Sequence, residues 1–437
     1  MPTRLRYLLF LLTILPLLSV APAPAPEPAE LTLGSSLQGR PITAVRFGDG
    51  PRKLVVVGDT HGGPEANTYE LTNQLIAHFR ANPGEIPASV RLYFIPTLNP
   101  DGLALGSRFN ANGVDLNRNM NTTLDSCPEN DWNTVVQGAY GLIAETGGPY
   151  ADSEVESRII RSFLLDASGA IFIHSNAGLV FPAFCEHAPS NLMGQVYAEG
   201  AGYLYNRFWL KYNITGGMHD WAGSLGIAAI TPELITGDLP EFEQNLAGLR
   251  AVLVRADDIL LPPQERSEHG FAMPEPIWRF WKAYGGEQRF GLPLQQATLE
   301  GDLTRQFFSH GVLELRPALA DTPALVQPAL LGQNSLAAPA SPAVNDGSGR
   351  FFERTGQLLR GAFLEHWQQA DGAQVYGSPL SGELLIISTD GAQRQGQVFE
   401  RAILTLQDDG GIRPEPLGWQ ALLAERLRSP DQPFTLR

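Results

Sequence analysis

Lys53-Leu-Val-Val-Val-Gly58-Asp-Thr-His61-Gly-Gly-Pro-Glu65 is the stretch on which the fold turns. Its first half is an apolar run too short for a helix and without polar alternation. It reads as a strand buried on both faces. Its second half switches to glycines, a histidine and two carboxylates. Residues 91–96, 170–173 and 227–231 are further runs of the first kind. Residues 69–80 and 154–167 carry apolar side chains at helical spacing. Strands separated by helices predict an α/β fold over residues 31–261, with a central sheet flanked by helices. Ligands collect at the carboxyl ends of such strands, and the polar clusters below lie at those ends.

His61 and Glu65 offer a nitrogen and a carboxylate oxygen, both good zinc donors. Read alone, they fit a glycine-rich turn equally well. His174 ends the apolar run of Ile171-Phe-Ile-His174 and supplies a third donor. Three protein ligands leave a fourth position for water, as a catalytic zinc site needs. Glu233, in Thr231-Pro-Glu-Leu234, ends another strand. It can accept the proton of such a water, or serve only as a strand-end ion pair. Arg108-Phe-Asn-Ala-Asn-Gly-Val-Asp-Leu-Asn-Arg-Asn119 sets two guanidiniums and several amides on one short polar run. Arginine grips a carboxylate in a bidentate fork or polarises a carbonyl. The remaining histidines (His78, His187, His269, His310, His366) read as surface or packing residues.

In order along the chain these motifs resemble the zinc metallocarboxypeptidases, of the carboxypeptidase A-like and murein peptide amidase-like kinds. Tyr212-Asn-Ile-Thr-Gly-Gly-Met-His-Asp-Trp221 adds the family's tyrosine, Gly-Gly and Asp-Trp. The resemblance implies a mixed central sheet and one Zn2+ held by His61, Glu65 and His174. It implies Glu233 as base, Arg108 beside the scissile carbonyl and Tyr212 as a capping phenol. Asn117 and Arg118 match the pair that holds a free terminal carboxylate. His219 falls at the family's pocket floor and implies a polar or amphoteric terminal residue, such as diaminopimelate. The substrate would be a peptide, or a peptidoglycan stem peptide, with a free C-terminal carboxylate. Two departures stand out. Three residues separate His61 from Glu65 where the family has two, and Met120 replaces a tryptophan common in relatives. Two other readings stay open: an envelope-binding protein that has lost catalysis, and a zinc deacylase or amidase acting on small acyl-amino acids.

The rest of the chain bounds these readings. With 437 residues it exceeds one ordinary core. Apolar content of 43% and charged content of 18% describe a folded protein. A formal charge of −15 argues against a nucleic-acid partner. Arg4 and Arg6 precede an apolar run at 7–20, so residues 1–23 read as an export signal, and 24–30 as an Ala/Pro spacer. That expectation places the protein outside the cytoplasm, secreted or in the cell envelope. Proline follows either candidate cleavage site, which leaves an uncleaved anchor open. Cys127 and Cys185 are the only cysteines. In an exported chain they suggest one disulfide, the alternative being two unrelated thiols.

Residues 260–269 are rich in proline and charge and read as a domain boundary. Beyond it Trp281, Phe290, Gly291, Pro293 and Leu294 recur 86 residues later as Trp367, Tyr376, Gly377, Pro379 and Leu380. Gln306 recurs at an offset of 91 as Gln397, and Leu331-Gly332 at 86 as Leu417-Gly418, so one loop holds an insertion. Two small repeated domains are expected, at 271–332 and 350–425, joined by an Ala/Pro/Ser-rich linker at 333–349. Phe290-Gly-Leu-Pro293 and Tyr376-Gly-Ser-Pro379 resemble the LGFP-type repeats of exported bacterial proteins. That resemblance implies association with the cell envelope.

Overall fold

A computed structural model describes residues 28–428 apart from 139, 140 and 337. The export signal and most of the spacer therefore lie outside the described residues. The first part runs β1 (Ala29–Ser35), β2 (Pro41–Phe47), β3 (Arg52–Val57), α1 (Ala66–Ala81), β4 (Val90–Ile95) and α2 (Pro100–Leu105). A small hairpin, β5 (Val136–Gln137) and β6 (Ile143–Ala144), precedes α3 (Val155–Phe163). Then come β7 (Ala167–Phe172), β8 (His174–Ser175), β9 (Leu179–Pro182), α4 (Ala188–Ala201), β10 (Leu204–Tyr205), α5 (Met218–Ser224) and β11 (Ala228–Leu234). Helices α6 (Phe242–Val254) and α7 (Ala256–Ile259) close this part. Strand β1 begins at Ala29, inside the span read as spacer, because its alternating pattern pairs with β2 at the sheet edge.

The sheet is mixed, in the order β1-β2-β4-β3-β7-β11-β9-β10, with β8 also pairing β11. Strands β4, β3, β7 and β11 are mutually parallel. From β3 the chain crosses to β4 on one side and returns to β7 on the other. The connections leaving the carboxyl ends of β3 and β7 thus run to opposite sides, which opens a crevice there. Alternate residues of β3 enter two cores. Leu54 and Val56 pack with Leu71, Leu75 and Phe79 of α1, while Val55 and Val57 pack with α3 and α5. Burial on both faces explains why this strand reads as an unbroken apolar run.

The second core does not stop at α7. Phe280, Trp281, Tyr284 and Phe290 belong to it, as do Phe363, Trp367 and Tyr376 of the second unit. Each C-terminal unit has a hairpin, two short helices, a four-stranded antiparallel sheet and a last helix. The hairpin of the first unit, Glu265–Glu268 with Phe271–Pro274, lies partly in the span read as a boundary. Its charged residues face solvent, so a surface hairpin looks like a linker in sequence. The offset of five residues is now located. The hairpin spanning 298–307 in the first unit spans 384–398 in the second. Register is recovered because the loop at 316–325 is longer than its counterpart at 407–411.

That longer loop meets the first part of the chain. Asp321 accepts hydrogen bonds from Arg46 and from the Tyr93 hydroxyl. Nearby, Lys53 is fully buried and donates to Asp166 and to the Phe163 carbonyl, both at 2.6 Å. Arg161 of α3 pairs with Asp152 and, at 2.8 Å, with Asp371 of the second unit, beneath the Tyr284 ring. Arg279 donates to the carbonyls of Leu165, Ala167 and Leu225. The two units also exchange their last helices. A Cβ on Gly332 would lie 2.0 Å from the Phe399 carbonyl oxygen, and one on Gly418 would lie 1.8 Å from that of Phe308. The amides of Gln333 and Trp419 bond to Glu400 and Ser309 of the opposite unit. Among the described residues no helix is long and apolar enough to cross a membrane.

Candidate metal centre

The turn after β3 explains how a longer spacing still brings two donors together. Gly62 has φ 50°, and a Cβ there would lie 2.1 Å from the Ser107 carbonyl oxygen. Only glycine fits. Gly63–Glu65 then forms one 3-10 turn ahead of α1. The extra residue is absorbed in that turn, and Glu65 faces His61 at an i,i+4 separation. Nδ1 of His61 lies 2.7 Å from Glu65 Oε1, and Nδ1 of His174 lies 2.9 Å from Oε2. The two Nδ1 atoms are 3.1 Å apart. All three side chains are buried, and they form a group able to share one ion.

The surroundings fit a metal as well as the donors do. Nε2 of His61 sits 3.0 Å from Asp115 Oδ1, so it bears the proton and leaves the Nδ1 lone pair facing Glu65. A carboxylate behind a ligating imidazole fixes its tautomer and raises its basicity. Burial alone would raise the Asp115 carboxyl, but Arg108, then His61 and Arg118, hold it well below its usual range. Glu65 is likewise held down, against burial, by His61 and His174. Burial pushes His174 below its ordinary value, so it is neutral and able to ligate. Two imidazole nitrogens and a carboxylate in a dry pocket are a borderline-soft donor set suited to zinc.

Around this group lies a cleft of about 660 Å3 that includes Arg108, Asn117, Arg118, Tyr212 and Glu233. Glu233 is paired in register with His174 through β11 and β8, so the sheet ladder itself sets the carboxylate beside a ligand. Burial, then the charge of Glu65, pushes Glu233 up to about 8. Arg108 donates to Asp115 at 3.0 Å and to Glu65 at 3.2 Å. Arg118 is buried, donates to the carbonyls of Asn117 and Gln137, and lies under the Tyr212 ring. Asn117 has its amide oxygen on the Met218 N–H and its nitrogen 3.3 Å from His174 Nε2. It therefore braces α5 and His174 as well as lining the cleft. His219 stands apart from the three donors, buried in α5 against the edge of Phe181. Met120 fills core space with no exposed surface. Cys127 and Cys185 are bridged, with Cα atoms 5.9 Å apart.

Sequence reasoning gave no role to Asp115, although it sits inside the arginine-rich stretch. An Asp two residues before Asn-Arg was the available signal. Asn130 and Gln137 were also missed, because their neighbours come from loops without periodicity.

The family profile described as zinc carboxypeptidase matches residues 26–247, just over half of the chain. Carboxypeptidase SOL1 of Arabidopsis thaliana is 30% identical over 100 residues, covering 20% of either chain. This chain thus aligns with about a fifth of that relative's length. A crystal structure of thrombin activatable fibrinolysis inhibitor is 18% identical, with a TM-score of 0.45, over 53% of this chain and 69% of that one. The murein-tripeptide amidase of Escherichia coli O157 is 22% identical, with a TM-score of 0.39, over 52% and 92%. With its profile match spanning the sheet and every donor of the centre, this chain belongs to the zinc carboxypeptidase family.

Proposed function

We propose that this protein is an exported zinc-dependent carboxypeptidase that hydrolyses the last peptide bond of peptides or peptidoglycan stem peptides. The observation that carries the reading is the convergence of His61, Glu65 and His174 at the cleft lined by Glu233, Arg108 and Arg118. A zinc ion on the three donors supplies Lewis acidity and lowers the pKa of a water. Glu233, raised by burial, would in its ionised form take that water's proton and return it to the leaving amine. Arg108 projects a fixed positive charge to the spot where the carbonyl oxygen gains charge, the kind of preorganised stabilisation that dominates many such reactions. Arg118 is already fixed by two carbonyls, so its remaining N–H groups meet a terminal carboxylate with little ordering cost. Tyr212 closes over it and donates from its phenol, which burial keeps protonated.

The test is a panel of peptides and murein stem peptides, each offered with a free and an amidated C-terminus, with and without chelator. Hydrolysis of the free forms, lost on chelation, is expected. Equal cleavage of amidated forms would remove the clamp, and chelator-resistant cleavage would remove the metal. Arg118→Ala should raise KM for free-carboxylate substrates more than it lowers kcat. Export rests on residues 1–23, and the C-terminal units are read as envelope-associated. Cell fractionation checks both.

A further inference from the structure

Beyond Tyr212 a second pocket of about 280 Å3 opens, sharing Phe181, Trp209, Tyr212 and Ile214 with the cleft. Its walls are aromatic and aliphatic, with Phe184 and Phe208 completing them. Its inner end is polar: Asn130, His219 and Asp220, each only 3% exposed. Nε2 of His219 lies 3.2 Å from Asp220 Oδ1, which also accepts the Phe184 N–H at 2.8 Å. The nearby carboxylate favours the tautomer that carries the His219 proton on Nε2. Its Nδ1 is a buried lone pair with no partner. Burial keeps the ring neutral. The Asn130 amide approaches Asp220, yet neither its oxygen nor its nitrogen closes a hydrogen bond. Its backbone is fixed all the same, since its carbonyl accepts from the Thr122 hydroxyl and from Gly216 N–H.

A buried polar atom without a partner costs on the order of 1–3 kcal/mol. Three such atoms at the end of one apolar pocket mark where a ligand group completes the set. The backbone around them is tied by the disulfide. Cys127 stands three residues before Asn130 and Cys185 directly after Phe184, so the bridge holds the polar end against an aromatic wall.

We propose that this pocket selects the substrate's last side chain by a hydrogen-bond donor at the end of an apolar or aromatic stem, with Asn130 and His219 as the selecting groups. The inference rests on the carboxypeptidase reading, and it sharpens that reading by naming the substrate class. A donor head meets the His219 lone pair and the Asn130 oxygen, beside the Asp220 carboxyl. A hydrocarbon head leaves those atoms unpaired. A carboxylate head would face the Asp220 carboxyl at the buried end, where the lining residues Asn130, His219 and Asp220 include no cation.

Matched substrates test this. Peptides ending in Tyr and Phe differ by one hydroxyl, and peptides ending in Gln and Glu differ by amide against acid. The wild-type kcat/KM should favour Tyr over Phe, and Gln over Glu, by at least about tenfold. Asn130→Leu and His219→Phe should each pull the Tyr/Phe ratio toward one. A wild-type ratio near one, or a preference for Phe, overturns the proposal without any variant needing to fold. The same pairs are also titrated by calorimetry into zinc-loaded Glu233→Gln protein. Selective binding in a protein whose wild type hydrolyses nothing keeps the pocket and removes the peptidase. Hydrolysis without selection keeps the peptidase and removes the pocket.

Discussion

The cleft and the back of the sheet both bury charge, and they do so in opposite ways. Behind the sheet three buried cations are held by partners. Arg161 meets Asp152 and Asp371, Lys53 meets Asp166, and Arg279 meets Glu275 and three carbonyls. In the cleft the charges converge on an open space, and Glu233 faces it with no hydrogen-bond donor of its own among the described residues. A buried charge enclosed by partners holds two parts of a fold together. A buried charge left facing a cavity is available for chemistry. The distinction lies in what the group faces, not in how deeply it sits.

The widest gap between the two regions should appear with Glu233→Gln. That change should cut kcat by about 10²–10⁴-fold while leaving the unfolding temperature no lower. An active variant would place Glu233 with the structural charges. Arg161→Ala should do the reverse. It leaves Asp152 and Asp371 buried without their cation, and should destabilise by roughly 3–5 kcal/mol in denaturant titration. Little loss of stability would show the two C-terminal units to be loosely attached. Asp115→Asn tests a residue that belongs to both categories, enclosed by partners yet supporting a ligand. Its zinc affinity should fall by about 10–100-fold, read by competition with a chromogenic chelator. Unchanged affinity would make Asp115 merely a partner for Arg108.

The smallest effect is in pH dependence. Glu233 in the folded chain keeps its proton up to about 8, whereas an ordinary glutamate loses it near 4.5. The folded state therefore binds more protons between those values. In chelator-treated protein this contribution is full below the lower value, and it is lost as pH rises through the upper one. Thermal melts across that window should fall more steeply for wild type than for Glu233→Gln. Parallel curves would mean that the carboxyl is not raised.

Much of the centre was legible because its donors sit at strand ends, where apolar runs stop on a polar residue. His174 and Glu233 follow that rule, and His61 lies four residues past the end of β3. Glu65 was legible only as a type, since its closeness to His61 depends on a 3-10 turn and on Gly62 at positive φ. Asp115 lies in the most informative stretch of the chain, but its contact with His61 spans 54 residues and no spacing announces it. The docking charges were less visible still. Arg161 occupies an ordinary amphipathic helix, and its partner Asp371 lies 210 residues away. The charged strand at Glu265–Glu268 looked like a linker because none of its four residues is buried, so it carries no apolar alternation.

The exchanged helices of the two C-terminal units have a consequence for how this chain can be cut. Proteolysis just before Leu417 would strip a cover from the first unit, not from the second to which the fragment belongs in sequence. Exchange of amide hydrogens should then quicken around Phe308 and Ser309, some hundred residues upstream of the nick. The pair is thus a single indivisible clasp, and a design that keeps one copy would keep neither.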